Sequence, residues 1–173
     1  MESIIKGRAL KYGDNINTDI ISPPQYMELP IKEAAKYAMS AIDPEFHLKA
    51  GPGAIMVADN NLGSGSSRET SPLTLKHLGL RVMVAEFFAR IFYRNSINVG
   101  LIPLGCSEAG RIGDGDELVI DLTQGQIRNE TKNETYDCDK VPDHIMKLIE
   151  QGGLVASLTD KFAAGQNFPA KRS

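Results

Sequence analysis

The stretch Asn61-Leu62-Gly63-Ser64-Gly65-Ser66-Ser67-Arg68-Glu69 gathers the residue types best suited to chemistry in this chain. Gly63 and Gly65 let the backbone turn sharply and approach a ligand closely. Ser66 and Ser67 bring two adjacent hydroxyls. Arg68 adds a planar, permanently charged fork that matches a carboxylate or phosphate in bidentate fashion. A helix is expected to follow, and the free N–H groups of its first turn favour an anion. Taken together, these residues describe an anion-binding loop with a candidate serine base or nucleophile. The same composition also suits a plain capped loop, so the decision rests on what surrounds it.

Several other chemistries are excluded. Gly-Lys-Ser/Thr is missing, so the loop is not a P-loop, and the Gly-x-Ser-x-Gly context of a hydrolase elbow is absent. His47, His77 and His144 have no metal-ligand spacing and read as surface or helix-face residues, so no metal site is expected in this chain. With 42% hydrophobic and 24% charged residues, 173 residues suit one domain over 1–160, followed by a loose tail over 161–173. A net charge of −3 argues against nucleic acid. No apolar run reaches the roughly 20 residues of a membrane span, and the N-terminus does not look like a secretory signal. Two cysteines, Cys106 and Cys138, favour a reducing, cytoplasmic compartment over a disulfide framework.

The elements that must carry the loop follow from apolar runs and turn chemistry. A strand is expected over 4–12. The Gly/Asn/Asp-rich turn over 13–19 leads into an extended segment over 20–24 ahead of Pro23 and Pro24. A short helix fits 31–40, with Pro30 at its start. Residues 54–58 form a buried strand, 68–78 a helix stopped by Gly79, 81–85 a strand, 87–95 a helix and 99–104 a strand. This alternation predicts an α/β fold with a mostly parallel sheet core flanked by helices. Strands over 117–122 and 127–136 add a C-terminal antiparallel β portion, and 142–150 forms a helix. In such sheets, ligands sit beyond the carboxyl ends of the strands, which is where the serine loop falls.

Four ordered motifs now matter together: Asn17-Thr18-Asp19-Ile20-Ile21; the serine loop; Phe88-Ala89-Arg90-Ile91-Phe92-Tyr93-Arg94-Asn95 with Asn98-Val99-Gly100-Leu101; and Gly152-Gly153-Leu154. In this order and spacing the chain resembles the small subunits of the 3-isopropylmalate dehydratase and homoaconitase family, over residues 7–158. The resemblance implies a swivelling β/β/α domain of the aconitase type. It also implies a hydro-lyase acting on a 2-hydroxy dicarboxylic acid, active only as a heteromer, with 3-isopropylmalate dehydration in leucine synthesis as the leading activity. Matched residue by residue, Ser66 is the base that works as an alkoxide, and Ser67 and Arg68 bind a substrate carboxylate. Asp19 reaches the same site. A [4Fe-4S] cluster belongs to the large partner subunit, in keeping with a chain whose two thiols fall short of the three or four ligands such a cluster takes.

Substrate choice is attributed to the loop Gln25-Tyr26-Met27-Glu28-Leu29. Homoaconitase relatives carry an arginine in this stretch; here Glu28 would repel a distal carboxylate, while Met27 and Leu29 suit an apolar branch. Isopropylmalate is therefore favoured, with 2,3-dimethylmalate and homoaconitate types as alternatives and a non-catalytic dicarboxylate binder as the reading of another class. Ser64 stands where cysteine is common, and Thr70 where histidine or glutamine is, which costs a hydrogen bond near the loop. Arg90 and Arg94 are expected to tie their helix to the loop through buried polar contacts.

Overall fold

A computed structural model describes residues 3–66 and 68–153. They form one seven-stranded sheet in the order β4-β3-β2-β1-β5-β6-β7. Strands β1 (Ile4–Lys11), β2 (Ala54–Val57), β3 (Val82–Ala85) and β4 (Ile102–Gly105) are parallel neighbours. On the other edge of β1, strands β5 (Glu117–Asp121), β6 (Gln126–Asn129) and β7 (Glu134–Asp137) pair antiparallel. Strand β1 thus joins a parallel half to an antiparallel half.

Burial follows that division. Every residue of β2 and β3 is buried, as strands covered on both faces require. In β5 and β6 buried residues alternate with exposed or half-buried ones, because one face meets solvent. The sheet curls until the chain after β7 meets the end of β4: Asp139 N–H donates to Gly105 O at 2.9 Å, and Gly105 N–H to the Asp139 carboxylate at 3.0 Å. One core, including Ile5, Ile55, Val84, Leu104, Leu118, Ile120 and Tyr136, fills the inside of the curl and takes Ile145, Met146 and Ile149 from α6 (Asp143–Glu150). A second core, including Met56, Met83, Leu62, Leu75, Phe88 and Phe92, lies outside the parallel half. It is covered by α4 (Thr70–His77), α5 (Arg90–Asn98) and the short helices α1 (Thr18–Ile21) and α3 (Phe46–Lys49), with α2 (Ile31–Ala34) packed against α4.

Most expected elements are present with shifted ends, and the departures have local causes. Ile20 and Ile21, expected as extended chain, belong to a helical turn over 18–21, because the Asn17 side chain accepts from Ile20 N–H at 2.9 Å and caps it. The helix expected over 31–40 stops at Ala34 and tightens into a 3-10 turn over Ala35–Tyr37. Met39 then takes φ +61 and donates its N–H to Ile21 O at 3.2 Å. The helix expected over 87–95 starts only at Arg90, since Phe87 O and Ala89 N–H are engaged with Leu62. The single strand expected over 127–136 is a hairpin, turned at Asn133 with φ +55. The helix α3 was not expected. The tail over 161–173 lies outside the described residues.

Candidate functional site

Beyond their last paired residues, β1 and β2 continue as two loops zipped together. Asn15 N–H donates to Asn60 O at 2.9 Å, Gly63 N–H to Ile16 O at 2.7 Å, and Thr18 N–H to Ser64 O at 2.8 Å. On its other side the same loop meets the chain after β3: Leu62 N–H donates to Phe87 O and Ala89 N–H to Leu62 O, both at 2.9 Å. The serine loop is therefore the middle one of three loops at the carboxyl ends of adjacent parallel strands, where open α/β sheets bind ligands.

Both loop glycines are required, for different reasons. Gly63 has φ +92, and a Cβ there would lie 2.1 Å from the Phe92 ring. Gly65 has φ +107, and a Cβ would stand 3.1 Å from Thr18 Oγ1. Phe92 under the loop and Thr18 beside it thus fix its path.

The adjacent α1 residues Thr18 and Asp19 hold the two principal side chains. Thr18 Oγ1, on a buried residue, lies 3.3 Å from Ser66 Oγ and 3.2 Å from Ser66 O. Asp19 Oδ1 lies 3.1 Å from Arg68 Nη1, with the two side chains 58% and 23% exposed. Arg68 Nη1 also reaches Ser22 O at 3.5 Å. Ser66 and Gly65 are exposed, so the loop presents its hydroxyl at an open surface. Arg68 precedes α4, which begins at Thr70 rather than at Arg68, and its N–H closes a turn on Ser66 O at 2.9 Å. Ser67 lies outside the described residues.

The expected specificity loop sits beside this site. Pro24–Tyr26 is a 3-10 turn, and the Tyr26 ring stacks on Tyr37 with centroids 3.8 Å apart and 9° between planes. Tyr26, Met27 and Leu29 line a cavity of about 20 Å³ with Ile31, Ala34 and Thr74. Two buried hydroxyls on its wall, Ser22 Oγ and Thr70 Oγ1, have no hydrogen-bond partner among the described residues. That agrees with the bond expected to be lost at Thr70. Glu28 is exposed, and Met27 and Leu29 remain 45% and 41% exposed.

One expectation fails. Arg90 and Arg94 are exposed and make no hydrogen bond or ion pair with any described residue. Backbone bonds at Leu62 and the Phe92 ring do the work expected of them, because α5 turns its apolar side to the loop and its arginines outward. Sequence reasoning also gave Thr18 no role, although it stands next to Asp19 in the first motif. A hydroxyl one residue from a site aspartate was the available signal.

Among the described residues no three His, Cys, Asp or Glu side chains converge as a ligand set. Burial raises both thiols, Cys106 above its ordinary range and Cys138 to about 12, with nearby Cys106 adding to the latter. Two thiols, joined by no third ligand among the described residues, fall short of the three or four that an iron–sulfur cluster takes. Among the described residues no helix is long and apolar enough to cross a membrane.

Comparison with known proteins agrees with the geometry. Residues 3–109 match the model of the aconitase C-terminal domain. The chain is 45% identical over 168 residues to the isopropylmalate/citramalate isomerase small subunit of Methanocaldococcus jannaschii, covering 96% of this chain and 100% of the relative. It is 47% identical over 155 residues to the 3-isopropylmalate dehydratase small subunit of Brachyspira hyodysenteriae, covering 88% and 95%. With the methanogen homoaconitase small subunit of Methanothermobacter thermautotrophicus it shares 46% identity over 156 residues, covering 90% and 91%. The crystal structure of 3-isopropylmalate dehydratase from Methanocaldococcus jannaschii superposes with a TM-score of 0.85 at 40% identity, covering 94% of this chain and 97% of that one. The chain belongs to the aconitase C-terminal domain family, within its branch of 3-isopropylmalate dehydratase small subunits.

Proposed function

We propose that this chain is the substrate-gripping small subunit of a cytoplasmic hydro-lyase that interconverts 2-isopropylmalate and 3-isopropylmalate, with residues 1–160 as its swivelling domain. The observation that carries this reading is the shared anchorage of Ser66 on Thr18 and of Arg68 on Asp19. One helical turn thereby holds a potential base and a carboxylate fork at the same sheet end.

The chemistry follows from those groups. Ser66, as an alkoxide, takes the proton from the carbon beside the hydroxyl-bearing one; the C–O bond breaks, and the hydroxyl departs with that electron pair and takes up a proton from solvent to leave as water. Re-addition of water in the opposite sense gives the isomer. The proton is barely acidic, so the charge that develops needs preorganised partners. Arg68 grips a substrate carboxylate with the N–H groups that Asp19 leaves free, and Ser67 contributes a second contact. A serine hydroxyl is a weak base at its ordinary pKa and needs neighbours that favour its oxyanion.

The family implies an iron–sulfur cluster on the large subunit. As a [4Fe-4S] centre with one open iron it would supply Lewis-acid assistance to the departing hydroxyl. The exposure of Ser66 is consistent with a site completed by that partner.

Glu28, exposed and off the cavity wall but in the same loop, disfavours a second distal carboxylate by its charge, and the apolar strip of Met27 and Leu29 suits a branched alkyl group. The test is assembly of this chain with the cluster-bearing subunit, followed by ultraviolet absorbance of the enoate. A panel of isopropylmalate, dimethylmalate, homocitrate and citrate should show isopropylmalate turned over best. A clear preference for homocitrate overturns the reading of Glu28. If Ser66→Ala keeps activity within about tenfold, or roughly 1.4 kcal/mol of barrier, the assignment of the base is wrong.

A further inference from the structure

We propose that Thr18 is a positioning residue for the reaction, aiming its hydroxyl proton at Ser66 Oγ once that oxygen is ionised. The inference rests on Ser66 acting as the base and deepens that reading.

Among the described residues, Thr18 is the sole side chain within hydrogen-bond distance of Ser66 Oγ. Its hydroxyl proton has two acceptors to choose between, Ser66 O at 3.2 Å and Ser66 Oγ at 3.3 Å. While Ser66 is neutral the two are comparable. When Ser66 is an alkoxide, its negative charge makes Oγ the stronger acceptor, and a small rotation about the Thr18 Cβ–Oγ bond transfers the donor to it. No heavy atom moves. The stabilisation therefore favours the ionised base over the resting hydroxyl, which is the differential that catalysis requires.

The surroundings hold Thr18 to this task. It is 2% exposed, so solvent does not compete for its hydroxyl. Its N–H is fixed on Ser64 O at 2.8 Å, and its carbonyl accepts from Ser71 Oγ at 3.5 Å. The missing Cβ of Gly65, which would lie 3.1 Å from Thr18 Oγ1, leaves the hydroxyl room to turn. Thr18 also stands on the turn whose next residue, Asp19, holds Arg68, so the base and the carboxylate fork share one frame.

The experiment uses the chain assembled with its cluster-bearing partner. Thr18→Val keeps the shape and removes the proton, and Thr18→Ala repeats the test with a smaller side chain should valine disturb the loop. Either variant should lower kcat by about ten- to a hundredfold while KM for isopropylmalate stays within about twofold, and Thr18→Ser should return most of the lost rate. Loss of the donor raises the pKa of the base, so the acid limb of the pH–rate profile should move to higher pH. In a Ser66→Ala background, Thr18→Val should cost nothing further. A variant within about threefold of the parent, a loss seen only in KM, an unmoved acid limb, or a full additional loss beside Ser66→Ala overturns the inference. If Ser66 proves dispensable, the base assignment and this inference fall together. If Ser66 is essential and Thr18→Val is near parental, only this inference falls.

Discussion

The Asp116 cluster and the Ser66 loop are both built from polar side chains, but only the first is finished. Asp116, 5% exposed, accepts from Gly113 N–H and Asn129 Nδ2, each at 2.8 Å, and lies 3.7 Å from Lys132 Nζ. Asn129 also donates to Tyr136 Oη at 3.2 Å and accepts from Lys132 N–H at 3.1 Å. Burial alone would raise the Asp116 pKa; the Asn129 and Gly113 hydrogen bonds and the Lys132 charge outweigh it and hold the group below the ordinary carboxylate range. The Ser66 loop, by contrast, leaves its principal hydroxyl exposed, pairs Arg68 only in part, and has beside it the hydroxyls of Ser22 and Thr70, which find no partner among the described residues. A closed network fixes a fold, whereas an open one on a fixed backbone has donors left for a ligand. The antiparallel half supplies the first kind and the parallel half the second.

Substitutions should separate the two networks, and the largest effect is expected at the open one. Ser66→Ala should lower kcat by about 10²- to 10⁴-fold with the melting temperature unchanged, read from initial rates and a thermal scan. An equal loss of stability would mean that Ser66 belongs to the structural class. Gly63→Ala should come next, at about 3 kcal/mol of stability, because left-handed backbone strain and collision with Phe92 add. Chemical denaturation measures it, and Phe92→Leu should return part of the loss.

Asn129→Ala should cost about 1–3 kcal/mol by leaving the buried Asp116 short of a partner, with kcat close to parental. The smallest effect concerns acid. Asp116 has a lower pKa folded than unfolded, so its contribution is complete above the unfolded value, near pH 4, and is lost as pH falls through the folded one. Melting temperature against pH should drop in that window, and Asp116→Asn should flatten the drop.

Much of this was legible because the signals are local. The buried runs of β2 and β3, Gly79 at the end of α4, and the Gly/Ser loop between strand and helix each depend on a few consecutive residues. Local reading failed where a distant group won. Leu62 delayed the start of α5, and the inward packing of Phe92 against Gly63 sent Arg90 and Arg94 to the surface, whereas at Ile20 and Ile21 the missed cause was local, the Asn17 cap.

Amino-acid order alone determined that this chain has an alternating α/β core, an anion-suited serine loop after a buried strand, and too few thiols for a cluster. Periodicity, glycine placement and composition are properties of short windows. The tertiary structure alone decided that β1 lies between β2 and β5, that its outgoing loop zips onto the serine loop, and that Thr18 and Asp19 meet Ser66 and Arg68. Such meetings join residues dozens of positions apart, and no local preference encodes them; they appear only when burying both faces of the sheet selects one pairing of strands.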